Sequence, residues 1–170
     1  MIYDNLTPYE KQLVMAGFEG MDADSQNYLV NAISRKTGIT LWQIKPEDIL
    51  NYHKNLKISM QNEFCEIAIA AGFTSSNGHK YRTNTDDQIN FLGKMIMLQM
   101  KPDITEVPWK TEDAGYIVHT KEDWLTVASE GFAHKEEQLL KFNEKTTTIK
   151  NATTHAQIVA VSWSNTKPNL

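Results

Sequence analysis

The sequence predicts a mainly α fold with a small β element, an α+β chain whose long helices pack antiparallel with an inserted short antiparallel β-ribbon. Three observations predict it. Apolar residues recur every three or four positions over residues 46–71, 85–100 and 121–149, the period of helices with one buried face. Helix-start chemistry precedes such stretches, as in Thr7-Pro8-Tyr9-Glu10. Short segments at 79–83, 107–110 and 116–119 are bordered by turn residues, as strands are.

The elements follow in order. Thr7 is placed to cap the Glu10 amide while the Glu10 carboxylate reaches back, and Pro8 suits the first helical position. This helix is expected to reach about Phe18 and stop near Gly20. A second follows Asp24 and ends before Gly38, with Tyr28, Leu29, Ala32 and Ile33 on one face. Residues 39–44 connect to a helix opened by Pro46, whose apolar face is Ile49, His53, Leu56, Met60, Phe64, Ile67 and Ala71. Gly72 stops it. Asn77 and Gly78 turn the chain into the strand at 79–83. The next helix opens with a capping box from Thr85 to Gln88 and buries Ile89, Leu92, Ile96 and Met100, with Phe91, Met95 and Leu98 widening the face. Lys101 and Pro102 end it. A hairpin turns at 111–115. Thr120 caps a long helix reaching Ile149, and a short helix is expected over 154–163. The reading divides the chain into an N-terminal helical attachment region (1–43), a helix–ribbon–helix domain (44–163) and a flexible polar tail (164–170).

Composition bounds the partners. Charged residues are 22% of the chain and the net charge is -4, which leaves no general electrostatic footprint for nucleic acid. No apolar run approaches the roughly 20 residues that cross a bilayer, so no membrane is expected. No signal peptide is visible, which makes the expected site of synthesis a cytoplasm. The single cysteine, Cys65, excludes an internal disulfide and reads as a small buried thiol.

No residue pattern announces catalysis. None of His53, His79, His119, His134 and His155 forms an i, i+4 pair, and no cysteine cluster accompanies them. His53 falls on an apolar face, as a core or interface histidine. His79 and His119 fall on expected strands, where they could neighbour each other. Glu63 with Glu66, and Asp86 with Asp87, are explained by a polar helix side and a first helical turn. Residues 74–78 lack the glycine–lysine spacing of a phosphate loop. The expectation is therefore no catalytic residue, cofactor or metal. Trp109 and Trp124 read as core packing or as a binding hot spot.

The long C-terminal helix carries a heptad seam: Leu125, Ala128, Phe132, Lys135, Leu139, Phe142, Thr146 and Ile149 are spaced 3-4-3-4-3-4-3. Either an antiparallel partner within the chain or a second chain would bury it. Leu125, Phe132, Leu139, Phe142 and Ile149 are the candidate interface residues.

The order of motifs from Cys65 to Trp163 resembles a phage and prophage domain of unknown function found at the C-terminal ends of tail-fibre and tail-fibre-assembly proteins. The matching elements are Cys65 with Ile69, Gly72 and Phe73; Gly78, His79, Lys80 and Tyr81; Asp87, Gln88, Ile89 and Asn90; Trp109, Lys110 and Thr111; and residues 149–154 ahead of Trp163. These residues read physically as scaffold: Gly72 allows positive φ, Phe73 and Tyr81 close the ribbon over the helices, Gln88 completes the cap, and Asn90 binds turn backbone. The resemblance implies a virion tail setting, assembled in the bacterial cytoplasm, with other tail or baseplate proteins, a tail fibre or further copies of the chain as partners. The expected function is a non-enzymatic structural subunit acting by docking; the alternative is a fibre-assembly chaperone not retained in the virion.

Overall fold

The computed structural model describes residues 2–164, with Ile2 and Tyr3 by their backbone alone. Apart from Ser164, the expected polar tail lies outside the described residues. The helices are α1 (Ile2–Asn5), α2 (Pro8–Ala16), α3 (Ala23–Thr37), α4 (Pro46–Ala71), α5 (Thr85–Met100), α6 (Lys121–Asn151) and α7 (His155–Val159). The strands are β1 (Phe73–Thr74), β2 (Lys80–Tyr81), β3 (Glu106–Thr111) and β4 (Gly115–Thr120), paired antiparallel as β1 with β2 and β3 with β4. The mainly α class with a small β element is therefore the observed one.

Two compact units emerge: Met1–Phe64 with Phe142–Leu170, and Cys65–Lys141. The division expected at residue 43 is not where the chain separates. The reason is packing, since Leu13, Leu29 and Ile33 share one core with Ile49 of α4.

In the first unit the Thr7 capping box forms in full, with the Thr7 N–H donating to Glu10 Oε2 at 2.9 Å. Helix α2 stops at Ala16, earlier than expected, because Gly17 takes φ 75°. Helix α3 is capped by Asp22, which accepts from the Ser25 N–H at 2.8 Å. Its buried face is Ser25, Leu29 and Ile33, while Tyr28 is 63% exposed and does not join it. A second apolar cluster gathers Ile149, Ala152, Ile158 and Val161. Helix α7 ends at Val159 rather than near Trp163, capped by Thr154.

In the second unit Phe91, Leu98, Val107, Trp124, Val127, Ala128 and Tyr81 form the core. Phe91 lies 4.9 Å from Trp109 and 5.7 Å from Trp124, ring centre to ring centre, and the two indoles meet edge-on at 5.1 Å. Cys65 Sγ approaches Gln138 O and His134 Nε2 approaches Ala68 O, at 3.4 and 3.1 Å. Numbers rising on one helix and falling on the other mark antiparallel packing.

Three local expectations change here. Asn84, not Thr85, caps α5, accepting from the Asp87 N–H at 3.0 Å, while Gln88 Nε2 donates to Thr83 O at 2.7 Å. The strand expected over 79–83 narrows to Lys80 and Tyr81, opposite Thr74 and Phe73. The α5 face turns over. Phe91 and Leu98 are buried, whereas Ile89, Leu92, Ile96 and Met100 are exposed at 63, 50, 48 and 78%.

Gly72 ends α4 with φ 79°, and a Cβ there would stand 2.0 Å from Tyr81 O. Gly38 has φ 75° but open space around the same position. Gly38→Ala should cost the left-handed backbone term alone, about 1–2 kcal/mol. Gly72→Ala should cost clearly more, because the ribbon backbone must also move. Urea unfolding of both variants measures the difference, and equal losses would refute the close-contact account.

Candidate functional site

The Cys65–Asn90 motifs build a scaffold. Tyr81, 1% exposed, donates its hydroxyl hydrogen to His119 Nε2 at 2.7 Å. His119 Nδ1 lies 3.2 Å from Val107 O. A carbonyl accepts only, so Nδ1 carries the hydrogen and Nε2 is the acceptor. Asn77 Nδ2 donates to the Tyr81 oxygen at 2.8 Å. His79 does not neighbour His119; it meets Asp113 at 2.9 Å. The Lys80 N–H donates to the same carboxylate, which with His79 holds Asp113 at about 2, well below its ordinary value. Glu130 accepts from the Ser75 hydroxyl and the Ser76 N–H, fixing the ribbon turn to α6. Asn90 makes no side-chain hydrogen bond, so its expected turn-binding role is not realised. Burial, with the neighbouring Glu66 charge, pushes the Cys65 thiol up and away from nucleophilic character.

Among the described residues no three His, Cys, Asp or Glu side chains could hold a metal, and no helix is long and apolar enough to cross a membrane. A groove of about 650 Å³ runs beside α5 and the β3–β4 hairpin, lined in part by Arg82, Asp87, Lys94, Trp109 and Tyr116. Asp87 Oδ2 is buried there without a hydrogen bond, 3.6 Å from Arg82 Nε. The lining holds no histidine, cysteine or serine to pair as nucleophile and base.

In the first unit His53 and His155 stack with Nδ1 atoms 2.9 Å apart, at 0 and 6% exposure. One ring donates and the other accepts, so the two rings cannot both be protonated. His53 Nε2 has no partner. Burial, then the His155 and Lys57 charges, lowers His53 to about 3; burial lowers His155 against the opposing pull of Glu19.

The heptad seam divides. Ala128 is buried as the seam requires, but the rest of the buried line on α6 in the second unit runs one position off the sequence reading, through Trp124, Val127 and Gly131. Ile149 is fully buried in the first unit, and Phe142 is half-buried there. Leu125, Phe132 and Leu139 are 38, 40 and 47% exposed. Lys135 Nζ donates to Gln88 Oε1, and Lys121 Nζ donates to Leu98 O at 3.3 Å, so α5 and α6 lie side by side and antiparallel. Leu92 is one turn past Gln88, and Phe132 is one turn before Lys135. Helical spacing therefore sets Leu92 and Ile96 beside Phe132 and Leu125 on one exposed apolar face.

Sequence reasoning assigned the α5 half of this face to the core. The signal that could have found it is the distribution of apolar residues on two sides of α5, more than one core can take. The contact of His53 with His155, 102 residues apart, leaves no local trace.

A family model described as "Domain of unknown function (DUF4376)" matches residues 52–162. The chain belongs to that family. No curated protein and no solved structure matches it.

Two outcomes test this geometry. Tyr81→Phe should cost about 1–3 kcal/mol, since it leaves buried His119 Nε2 without its donor; a shift in urea midpoint reports it. The His53 pair sets a pH dependence. The folded pKa lies below the unfolded 6.5, so its contribution is complete above about pH 6.5 and is lost as pH falls towards 3. Lowering pH from 7 to 5 should remove about 2 kcal/mol through His53, and His53→Gln should flatten that slope.

Proposed function

We propose that this protein is a non-enzymatic docking subunit of a phage tail, seated at the baseplate or where a fibre connects. The observation that carries the docking role is the exposed apolar face of α5 and α6, formed by Leu92, Ile96, Leu125 and Phe132. Contiguous apolar surface on a chain of ordinary composition marks a place where another surface sits. The tail setting is supported by the motif order from Cys65 to Trp163 and by its resemblance to tail-associated phage domains. The occupant that fits is another protein of the same tail, held chiefly by burial of these side chains.

The test joins composition with mutation. Mass spectrometry of purified particles should find the chain in the virion. Leu92→Asp combined with Phe132→Asp should leave the isolated protein folded, since both side chains are exposed. The same pair should weaken partner binding by more than about tenfold and deplete the chain from particles. A chain absent from particles but bound to free fibre protein would establish the assembly chaperone instead. Undiminished incorporation of the double variant would remove the helix face from the account.

A further inference from the structure

The second unit also carries a strand edge that pairs with no further strand among the described residues. Strands β3 and β4 pair through Glu106–Thr120, Val107–His119, Pro108–Val118, Trp109–Ile117, Lys110–Tyr116 and Thr111–Gly115. Antiparallel pairs alternate between those that exchange backbone hydrogen bonds and those whose N–H and C=O groups point outward. Pro108 has no N–H to give, so its pair with Val118 is of the outward kind. The N–H and C=O groups of Tyr116, Val118 and Thr120 therefore face away from β3. No backbone hydrogen bond from a turn or loop reaches these three residues, and only the Thr120 C=O, at the N-cap of α6, has a further acceptor role in the first helical turn.

The remaining edges are guarded. The outer edge of β3 carries Pro108, and beyond its end the Glu112 N–H donates to Lys80 O of β2 at 2.9 Å. Strands β1 and β2 are two residues each. Strand β4 has none of the devices that protect an edge: no proline, no Asp, Glu, Lys or Arg from Gly115 to Thr120, and Tyr116 and Val118 exposed at 77 and 65%.

We propose that β4 pairs antiparallel with β4 of a second copy about a two-fold axis at Val118, joining two hairpins into one four-stranded sheet. A two-fold contact must be self-complementary, and this edge is. Val118 meets Val118, and Tyr116 meets Thr120 in both directions. No like charges oppose one another, and the register leaves Glu112 and Asp113 of the turn outside the paired span. Such β-branched and aromatic cross-strand pairs are favourable. A differently charged partner would have no charge on this edge to recognise. The pairing uses the hairpin edge and stands apart from the docking role of the α5–α6 face.

Sedimentation velocity of the full chain over a concentration series should show a reversible dimer. Val118→Lys and Val118→Glu should each raise the dissociation constant at least about tenfold, with unchanged circular dichroism, because the side chain is exposed. Mixing the two variants in equal amounts should restore the dimer, since opposite charges then face each other across the axis. Leu92→Asp with Phe132→Asp should leave the dimer intact. Should a charged variant lose its helical signal, Val118→Cys replaces it. Cys65 is buried, so mild oxidation should yield a disulfide-linked dimer of the Val118→Cys variant and none of a Glu106→Cys variant. A wild-type chain monomeric throughout, a charge-variant mixture that stays monomeric, or equal cross-linking at both positions would overturn the proposal.

Discussion

The contact of Phe91 with Trp109 and Trp124 decides how the second unit is arranged. Helix α5 is apolar on two sides, and only one can face the hairpin and α6. An aromatic side chain buries about 150–250 Å², about 4–6 kcal/mol at about 25 cal/mol per Å². Phe91 packs against both indoles, with Met95 and Leu98 in line at i+4 and i+7. Once Phe91 is inside, Ile89, Leu92, Ile96 and Met100 are outside. The apolar face proposed for docking is thus the geometric remainder of the aromatic core, displayed on helices that pack through the same core.

The motif-dense stretch from Cys65 to Asn90 is the frame for that arrangement. Gly72 lets α4 stop where the Tyr81 carbonyl passes too close for any side chain. Tyr81 then ties ribbon to hairpin through His119, whose other nitrogen is held by Val107 O. Each polar atom in this chain of bonds has its complement, so the network specifies one geometry without leaving a buried group unmet. Residues dense in hydrogen-bonding capacity invite a functional reading. Here most of that capacity is consumed internally, with Asp87 Oδ2 and the Asn90 side chain as exceptions.

What the sequence made legible was chemistry that acts over a few residues. The Thr7–Glu10 box, the Pro46 helix start, the Gly72 stop and the 111–115 turn are each written within four or five positions, and each stands where expected within a residue or two. What it hid were choices among distant partners. The α6 seam shifted by one position because Trp124, not Leu125, meets Phe91 and Trp109. The cap of α5 moved to Asn84 because Gln88 is engaged by Thr83 O and by Lys135 from another helix. A periodic pattern gives the existence of a buried face. Which of two adjacent faces is buried depends on side chains far along the chain.

Both units bury polar atoms that lack a hydrogen bond. On α4, His53, Lys57 and Gln61 follow one another at four-residue steps and are 0, 7 and 1% exposed. His53 Nε2 and Gln61 Oε1 lack partners, and burial lowers the Lys57 pKa. This stripe is costly, and its cost grows when protons are added. In the second unit the Tyr81–His119 network is fully paired, whereas Asp87 Oδ2 and Trp124 Nε1 are buried without a hydrogen bond. Both units are therefore proton-sensitive, the first through buried His53 and the second through Asp113, whose lowered pKa ties its contacts with Lys80 and His79 to the ionised carboxylate, while the candidate contact surfaces belong to Cys65–Lys141. Charges introduced on exposed Leu92, Phe132 or Val118 enter no buried polar network and lie outside the aromatic core, so the folded state should change little while the proposed contacts are disrupted.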